Sequence, residues 1–240
     1  MIVAIMQPYF FPYIGYFQLM SAVDCFVFHD DVQFIKGGWI NRNRILISGA
    51  PAWWTFPVTK SDHSLTIKER FYLGEAAQVH SMLRRIEGAY RKAPQFNKAF
   101  PLISACLETS NQNVAEFNQS HLEAIAKEIG IKCNFLVSSK MTKNNELSAQ
   151  DRVIDICLRI GATRYINPIG GLDLYDSNAF IRAGLELNFI KSCPTAYAQF
   201  DCPHVPFLSI LDVLMFNSFE QTAELLNNYE IVQPHKGEPP

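Results

Sequence analysis

Met1-Ile2-Val3-Ala4-Ile5-Met6 runs directly into Gln7-Pro8-Tyr9-Phe10-Phe11-Pro12-Tyr13-Ile14-Gly15-Tyr16, and a second apolar run, Cys25-Phe26-Val27-Phe28, runs into His29-Asp30-Asp31-Val32-Gln33. Short apolar runs closed by polar residues read as buried strands. Only residues 7–24 separate the two, and Gly15–Ala22 has the length of a helix of about two turns. The stretch therefore predicts a compact β-α-β unit, in which Pro8 and Pro12 hold the first loop extended. Polar groups follow a buried strand twice, and in open α/β sheets ligands bind there, outside the carboxyl ends of the strands.

Working outward, Ile45–Ile47 and Trp53–Val58, separated by Ser48–Ala52, read as a hairpin with a longer loop. From Glu75 the period becomes helical: Val79, Met82, Leu83, Ile86 and Tyr90 form one stripe, and further helices are predicted over Gln95–Leu107 and Asn113–Ile129. Alternation then resumes, with strands at Ile131–Val137, Thr163–Ile166 and Leu185–Ile190 and a helix over Ala149–Ile160. Helices at Phe207–Phe216 and Phe219–Tyr229 follow. The fold class is α/β: a Rossmann-like, mostly parallel sheet with a helical insertion at about residues 75–129 and C-terminal helices. One domain is expected over 1–232, with a mobile tail at 233–240.

The 240 residues are 48% apolar with a net charge of −2 and no long basic run, so neither a nucleic-acid partner nor a polybasic membrane tether is indicated. The six cysteines contain no Cys-x-x-Cys pair and sit mostly in apolar runs, as reduced core residues of a cytoplasmic protein do. No stretch reaches the length of a membrane span, and the opening lacks a basic n-region. Gly-x-Gly-x-x-Gly, Walker A, Gly-x-Ser-x-Gly and His-Glu-x-x-His are all absent.

In a single parallel sheet four polar strand ends converge on one edge: Gln7 onward, His29-Asp30-Asp31, Ser138-Ser139-Lys140 and Asn167 to Gly171. His29, Asp30 and Asp31 are the candidate acid, base or metal group, since a histidine oriented by a carboxylate serves as a general base. Neighbours in an extended chain face opposite ways, so one of Asp30 and Asp31 faces the site. Arg42 or Arg44 is a candidate clamp for a carboxylate or phosphate. Alternation sends both arginines to one face and Asn41 and Asn43 to the other. Gln7, Tyr9, Tyr13 and Asn41 are candidates to orient a substrate. The loops carrying Ser138, Ser139, Lys140, Asn167, Gly170 and Gly171 are candidates to bind an anion. Tyr13-Ile14-Gly15-Tyr16 also has the spacing and place of the His-x-Gly-His motif of adenylyl-transferring folds, although tyrosines stay neutral at pH 7.

Met6–Tyr16, Asp30–Phe34 and Asn41-Arg42-Asn43 resemble the WbqC-like protein family, as do Ser138-Ser139, Leu158–Gly171 and Leu208–Asp212. The resemblance covers almost the whole chain. It implies a context in bacterial O-antigen and lipopolysaccharide biosynthesis and a transferase that adds a glycyl, other amino-acyl or similar small group to a sugar. The partner it implies is a small-molecule substrate, a nucleotide sugar; the cofactor stays open, and Mg²⁺ at the phosphates is the candidate that the adjacent carboxylates Asp30 and Asp31 suggest. A nucleotidyltransferase-like or adenylate-forming enzyme is the alternative, and a non-catalytic sugar-binding component of a glycan-biosynthesis complex is the second.

Overall fold

The computed structural model describes residues 1–234. Its centre is a six-stranded sheet made of β1 (Ile2–Met6), β2 (Cys25–Phe28), β5 (Asn134–Val137), β6 (Arg164–Pro168), β7 (Glu186–Ser192) and β8 (Tyr229–Val232), in the order β5-β2-β1-β6-β7-β8. The first five in that order are parallel, and β8 pairs antiparallel with β7 at the edge. β3 (Arg42–Ile47) and β4 (Ala50–Thr55) form a separate antiparallel hairpin.

Side chains alternate across the sheet, so one face carries Val3, Ile5, Cys25 and Val27 and the other Ala4, Phe26 and Phe28. The first face is covered by α5 (Ala149–Arg159) and α6 (Ser177–Arg182). The second belongs to the larger core, which takes in α1 (Ile14–Ser21), α7 (Ile210–Phe216) and the hairpin. The inserted helices α2 (Ala76–Tyr90), α3 (Phe96–Leu107) and α4 (Val114–Glu128) complete that core. Burial on both faces explains why the strands read as unbroken apolar runs.

Three expectations are corrected. The hairpin turns through Ser48 and Gly49 alone, because Ile47 pairs with Ala50 and both turn residues have positive φ, 51° and 78°. That is the two-residue turn whose twist suits adjoining strands, and it draws Ala50–Ala52 into β4. Arg42, Asn43 and Arg44 lie inside β3 rather than ahead of it. After α8 (Phe219–Leu225) the chain becomes the edge strand β8 instead of continuing as helix to Tyr229. Of the tail expected over 233–240, residues 235–240 lie outside the described residues.

The loop after β1 is buried, and its backbone is hydrogen-bonded by polar side chains from distant segments. Asn118 Nδ2 donates to the Pro8 carbonyl at 2.8 Å, and the Phe10 N–H donates to the Trp39 carbonyl. Phe11, at φ +40°, receives three contacts. Its N–H donates to His121 Nε2 at 3.0 Å, and its carbonyl accepts from Asn43 Nδ2 at 2.9 Å and Ser209 Oγ at 2.6 Å. A non-glycine residue in that region costs about 1–3 kcal/mol and persists only where its surroundings fix it. His121 also stacks on the Phe11 ring, 4.2 Å between centroids. Its Nδ1 faces the Phe117 carbonyl, so Nδ1 carries the proton and Nε2 accepts.

Burial holds the His121 imidazole down at about 3, against an ordinary 6.5. The unfolded chain therefore binds a proton that the folded one refuses between those values, and stability is lost as pH falls through that window. We expect this residue to account for about 1.4 kcal/mol per pH unit below pH 6.5. Urea unfolding from pH 7 to pH 5 should show the fall, and His121→Asn should reduce its slope. Ser209→Ala, which removes one of the two donors to the Phe11 carbonyl and the side-chain cap of α7, should cost about 1–2 kcal/mol in the same measurement.

Candidate functional site

β1 pairs with β2 along four positions, from Val3–Cys25 to Met6–Phe28, but with β6 only at Ile2–Arg164 and Val3–Tyr165. The two central strands therefore part beyond Val3, and a cleft of about 690 Å³ opens at their carboxyl ends. This is where the strand order reverses direction, the switch point at which open α/β sheets bind ligands. The volume falls within the range of small-molecule sites.

Gln7 lines the cleft from the end of β1, His29 from the end of β2, and Asn167, Gly170 and Gly171 from the end of β6. Asn43 and Arg44 enter from β3, and Tyr9, Tyr13, Trp39, Tyr175 and Phe207 supply aromatic walls. Gly171 is required where it stands: a Cβ there would meet Asn167 Nδ2 at 2.0 Å. Asn167 Oδ1 accepts from the Tyr165 hydroxyl at 3.0 Å, which lies 3.2 Å from that of Tyr175. Burial raises the Tyr9 and Tyr13 phenols above their ordinary range, so both are neutral hydrogen-bonding groups at physiological pH. The Tyr13 ring packs against Gly15, where a Cβ would lie 2.3 Å from it.

His29, Asp30 and Asp31 divide as alternation requires. Asp30 is buried, and its carboxylate accepts from the Ser139 N–H at 2.9 Å and the Ser139 hydroxyl at 2.5 Å. It fastens the β2 loop to the β5 loop and does not line the cleft. Asp31 turns to the His29 side, with Oδ1 3.8 Å from His29 Nε2 and Oδ2 2.6 Å from Lys143 Nζ. Burial alone would raise the Asp31 carboxyl, but the Lys143 ammonium against it brings it below its ordinary value. Burial lowers His29 to about 4, which keeps it a neutral base at physiological pH. Its Nε2 and Asp31 Oδ1 are both buried without a hydrogen-bond partner.

The two arginines share a face of the hairpin but differ in what they hold. Arg42 lies 4.1 Å over the Trp53 ring, and its guanidinium donates to the carbonyls of Gly37 and Gly38. Arg44 lies 5.9 Å from the Trp39 centroid, and Trp39 and Trp53 stand 5.5 Å apart, so the two rings lie side by side between the two cations. Among the described residues the Arg44 guanidinium has neither a carboxylate nor a carbonyl partner, and its Nε is buried unpaired. Among the described residues it is the one Lys or Arg that lines the cleft.

Of the residues singled out from sequence, the cleft gathers Gln7, Tyr9, Tyr13, His29, Arg44, Asn167, Gly170 and Gly171. Asn41, Arg42, Asp30, Asp31, Ser138, Ser139 and Lys140 do not line it. The amide of Asn41 donates to the Phe56 carbonyl, Lys140 is exposed, and the Ser139 N–H is committed to Asp30. Trp39, Tyr175 and Phe207 carry no sequence signal of a site, although Trp39 lies beside the Asn41–Arg44 cluster. Lys143 ends Lys140-Met141-Thr142-Lys143, which resembles the Lys-Met-Ser-Lys loop of the adenylyl-transferring folds, but that spacing says nothing of its pairing with Asp31. Asn118 and His121, which hold the loop, sit in the apolar stripe of α4 with Phe117, Leu122 and Ile125. Polar residues within such a stripe are the signal that finds them.

The model of the WbqC-like protein family matches residues 7–224. A Mycobacterium tuberculosis (strain ATCC 25618 / H37Rv) protein, "Uncharacterized protein Rv1507c", is 31% identical over 232 residues, covering 93% of this chain and 96% of that one. No solved structure matches the chain. Among the described residues, no helix is long and apolar enough to cross a membrane.

The desolvated setting of His29 has a direct spectroscopic consequence. Its ring proton resonances should titrate with a midpoint near about 4 rather than near 6.5. A midpoint above 6 in a histidine-resolved NMR titration would contradict the buried placement.

Proposed function

The chain belongs to the WbqC-like protein family, and on that premise we propose that it is a transferase that joins an amino-acyl or similar small group to a sugar in bacterial surface-polysaccharide synthesis. The observation that carries the reading is the pairing, in one cleft, of an uncommitted guanidinium with an uncommitted neutral imidazole. Arg44 supplies a fork for a carboxylate or a nucleotide phosphate. The aromatic walls suit the flat faces of a sugar or base, and Gln7, Tyr9 and Tyr13 present polar tips for its hydroxyls.

In the proposed reaction, His29 takes the proton of the accepting amine or hydroxyl on Nδ1, since its Nε2 is buried on the Asp31 side. That heteroatom attacks the acyl carbon, the bond from that carbon to the leaving group breaks, and the imidazolium returns its proton to the leaving group. Asp31, held by Lys143, stands across from His29 where its charge stabilises the imidazolium. A nucleotidyl- or adenylyl-transferring reading is favoured by Tyr13, the residue before α1, which lines the cleft. It also expects a lysine at the phosphates, and both candidates are elsewhere: Lys140 is exposed and Lys143 is paired with Asp31.

Thermal-shift titration with a uridine-diphosphate sugar and with pyrophosphate tests the anion site. Arg44→Gln should weaken binding by about tenfold or more, the worth of a charge-assisted hydrogen bond. Arg42→Gln should leave it within about twofold, since that guanidinium is tied to its own loop. His29→Gln should retain the ligand and lower turnover by about a hundredfold or more. ATP-dependent release of pyrophosphate would select the adenylyl-transferring reading instead.

A further inference from the structure

The carboxyl end of β7 carries a second, smaller recess beside the cleft. Ser192, the last residue of β7, borders it together with Gln18 of α1 and His204, while Tyr13 and Phe207 form a wall common to both spaces. Its volume is about 30 Å³, room for about two water-sized groups.

The polar atoms of this recess are biased toward acceptance. Gln18 is 1% exposed, and its Nε2 donates to the carbonyls of Leu225 and Asn228, both at 3.0 Å. Those two bonds fix which way the amide points and leave Oε1 buried as an unpartnered acceptor. Ser192 Oγ is likewise buried without a partner. His204 Nδ1 lies 3.2 Å from the Tyr197 carbonyl, an obligate acceptor, so Nδ1 carries a proton and Nε2 is the ring's remaining nitrogen. Among the described residues, neither lysine nor arginine lines the recess. One layer out, the fully buried carboxylate of Asp212 accepts from the hydroxyls of Tyr90 and Tyr197 and from Gln199 Nε2.

We propose that this recess is a subsite for a primary ammonium group, carried by a ligand whose anionic end lies against Arg44 in the cleft. A group with three N–H donors suits a wall of acceptors, and the carboxylate one layer out favours positive charge over negative. The volume admits an ammonium and the carbon that bears it but excludes a sugar ring, so the group it reads is the amine of a small acyl donor. The proposal deepens the amino-acyl reading above and rests on it.

The test is a two-dimensional amide NMR titration of the full chain with methylammonium chloride, using potassium and tetramethylammonium chlorides as controls. A probe of two non-hydrogen atoms binds at millimolar strength at best. Saturable shifts confined to Gln18, Ser192, His204 and Phe207, absent with both controls, are expected. Ser192→Val fills the recess without touching the Gln18 anchor and should abolish them, while Arg44→Gln should leave them intact. The absence of a saturable response, as for a recess that holds only water, overturns the proposal, as does an equal response to tetramethylammonium or one that survives Ser192→Val. Loss of anion binding in Arg44→Gln with methylammonium shifts retained separates the two readings. If methylammonium binds and no anion does, the ammonium subsite stands, while the anionic end at Arg44 and the transferase reading are overturned.

Discussion

The structure depends on a loop that has been taken out of water. Residues 8–12 follow the central strand into a core of aromatic rings, and two prolines and a left-handed phenylalanine leave them no regular partner for their backbone groups. Each such group left unpaired would cost about 1–3 kcal/mol, so the loop is possible only because side chains from elsewhere satisfy it. Asn43 comes from the hairpin, Asn118 and His121 from α4, and Ser209 from the cap of α7. Four segments far apart in sequence are thereby committed to one position, and the cleft is the space left between them and the parted strands.

Within that frame, the site is recognised by which polar groups are already occupied. Asp30, Ser139, Asn41, Arg42 and Asn43 are chemically capable residues whose hydrogen bonds are directed inward. Arg44, His29, Gln18 and Ser192 include buried atoms that have no such outlet. Buried polar groups are normally paired, so a cluster of unpaired ones along one edge of a sheet indicates that something else completes them. The edge in question runs across the carboxyl ends of β2, β1, β6 and β7.

Much of this was legible in the chain itself, for reasons that can be assigned. Strand and helix types followed from periodicity, and the adjacency of Gln7, His29 and Asn167 followed from their common place just past parallel strands. Alternation correctly put Asp30 and Asp31 on different sides and Arg42 and Arg44 on the same one, but it could not say which arginine was tied to its own loop. That depended on Gly37 and Gly38 presenting their carbonyls to Arg42, a matter of loop conformation. The predicted helix runs on to Tyr229 because Leu226–Asn228 is only a short turn after α8 and the pairing that makes Tyr229–Val232 extended comes from β7, far away in sequence. Lys143 and the aromatic residues Tyr175 and Phe207 reach the site through tertiary packing alone.

The inserted helices give the architecture an unusual kind of indivisibility. A segment placed between two strands of an α/β sheet ordinarily behaves as an ornament, something a gene could shed or exchange while the nucleus of the fold survived. Here α4 supplies the imidazole and amide that keep the first loop in shape. Excising residues 75–129 would therefore dissolve the cleft together with the insertion. Growth or trimming of the chain is confined instead to places such as the Ser48-Gly49 tip, which carries no such duty. A library of shortened or recombined forms should respect that boundary.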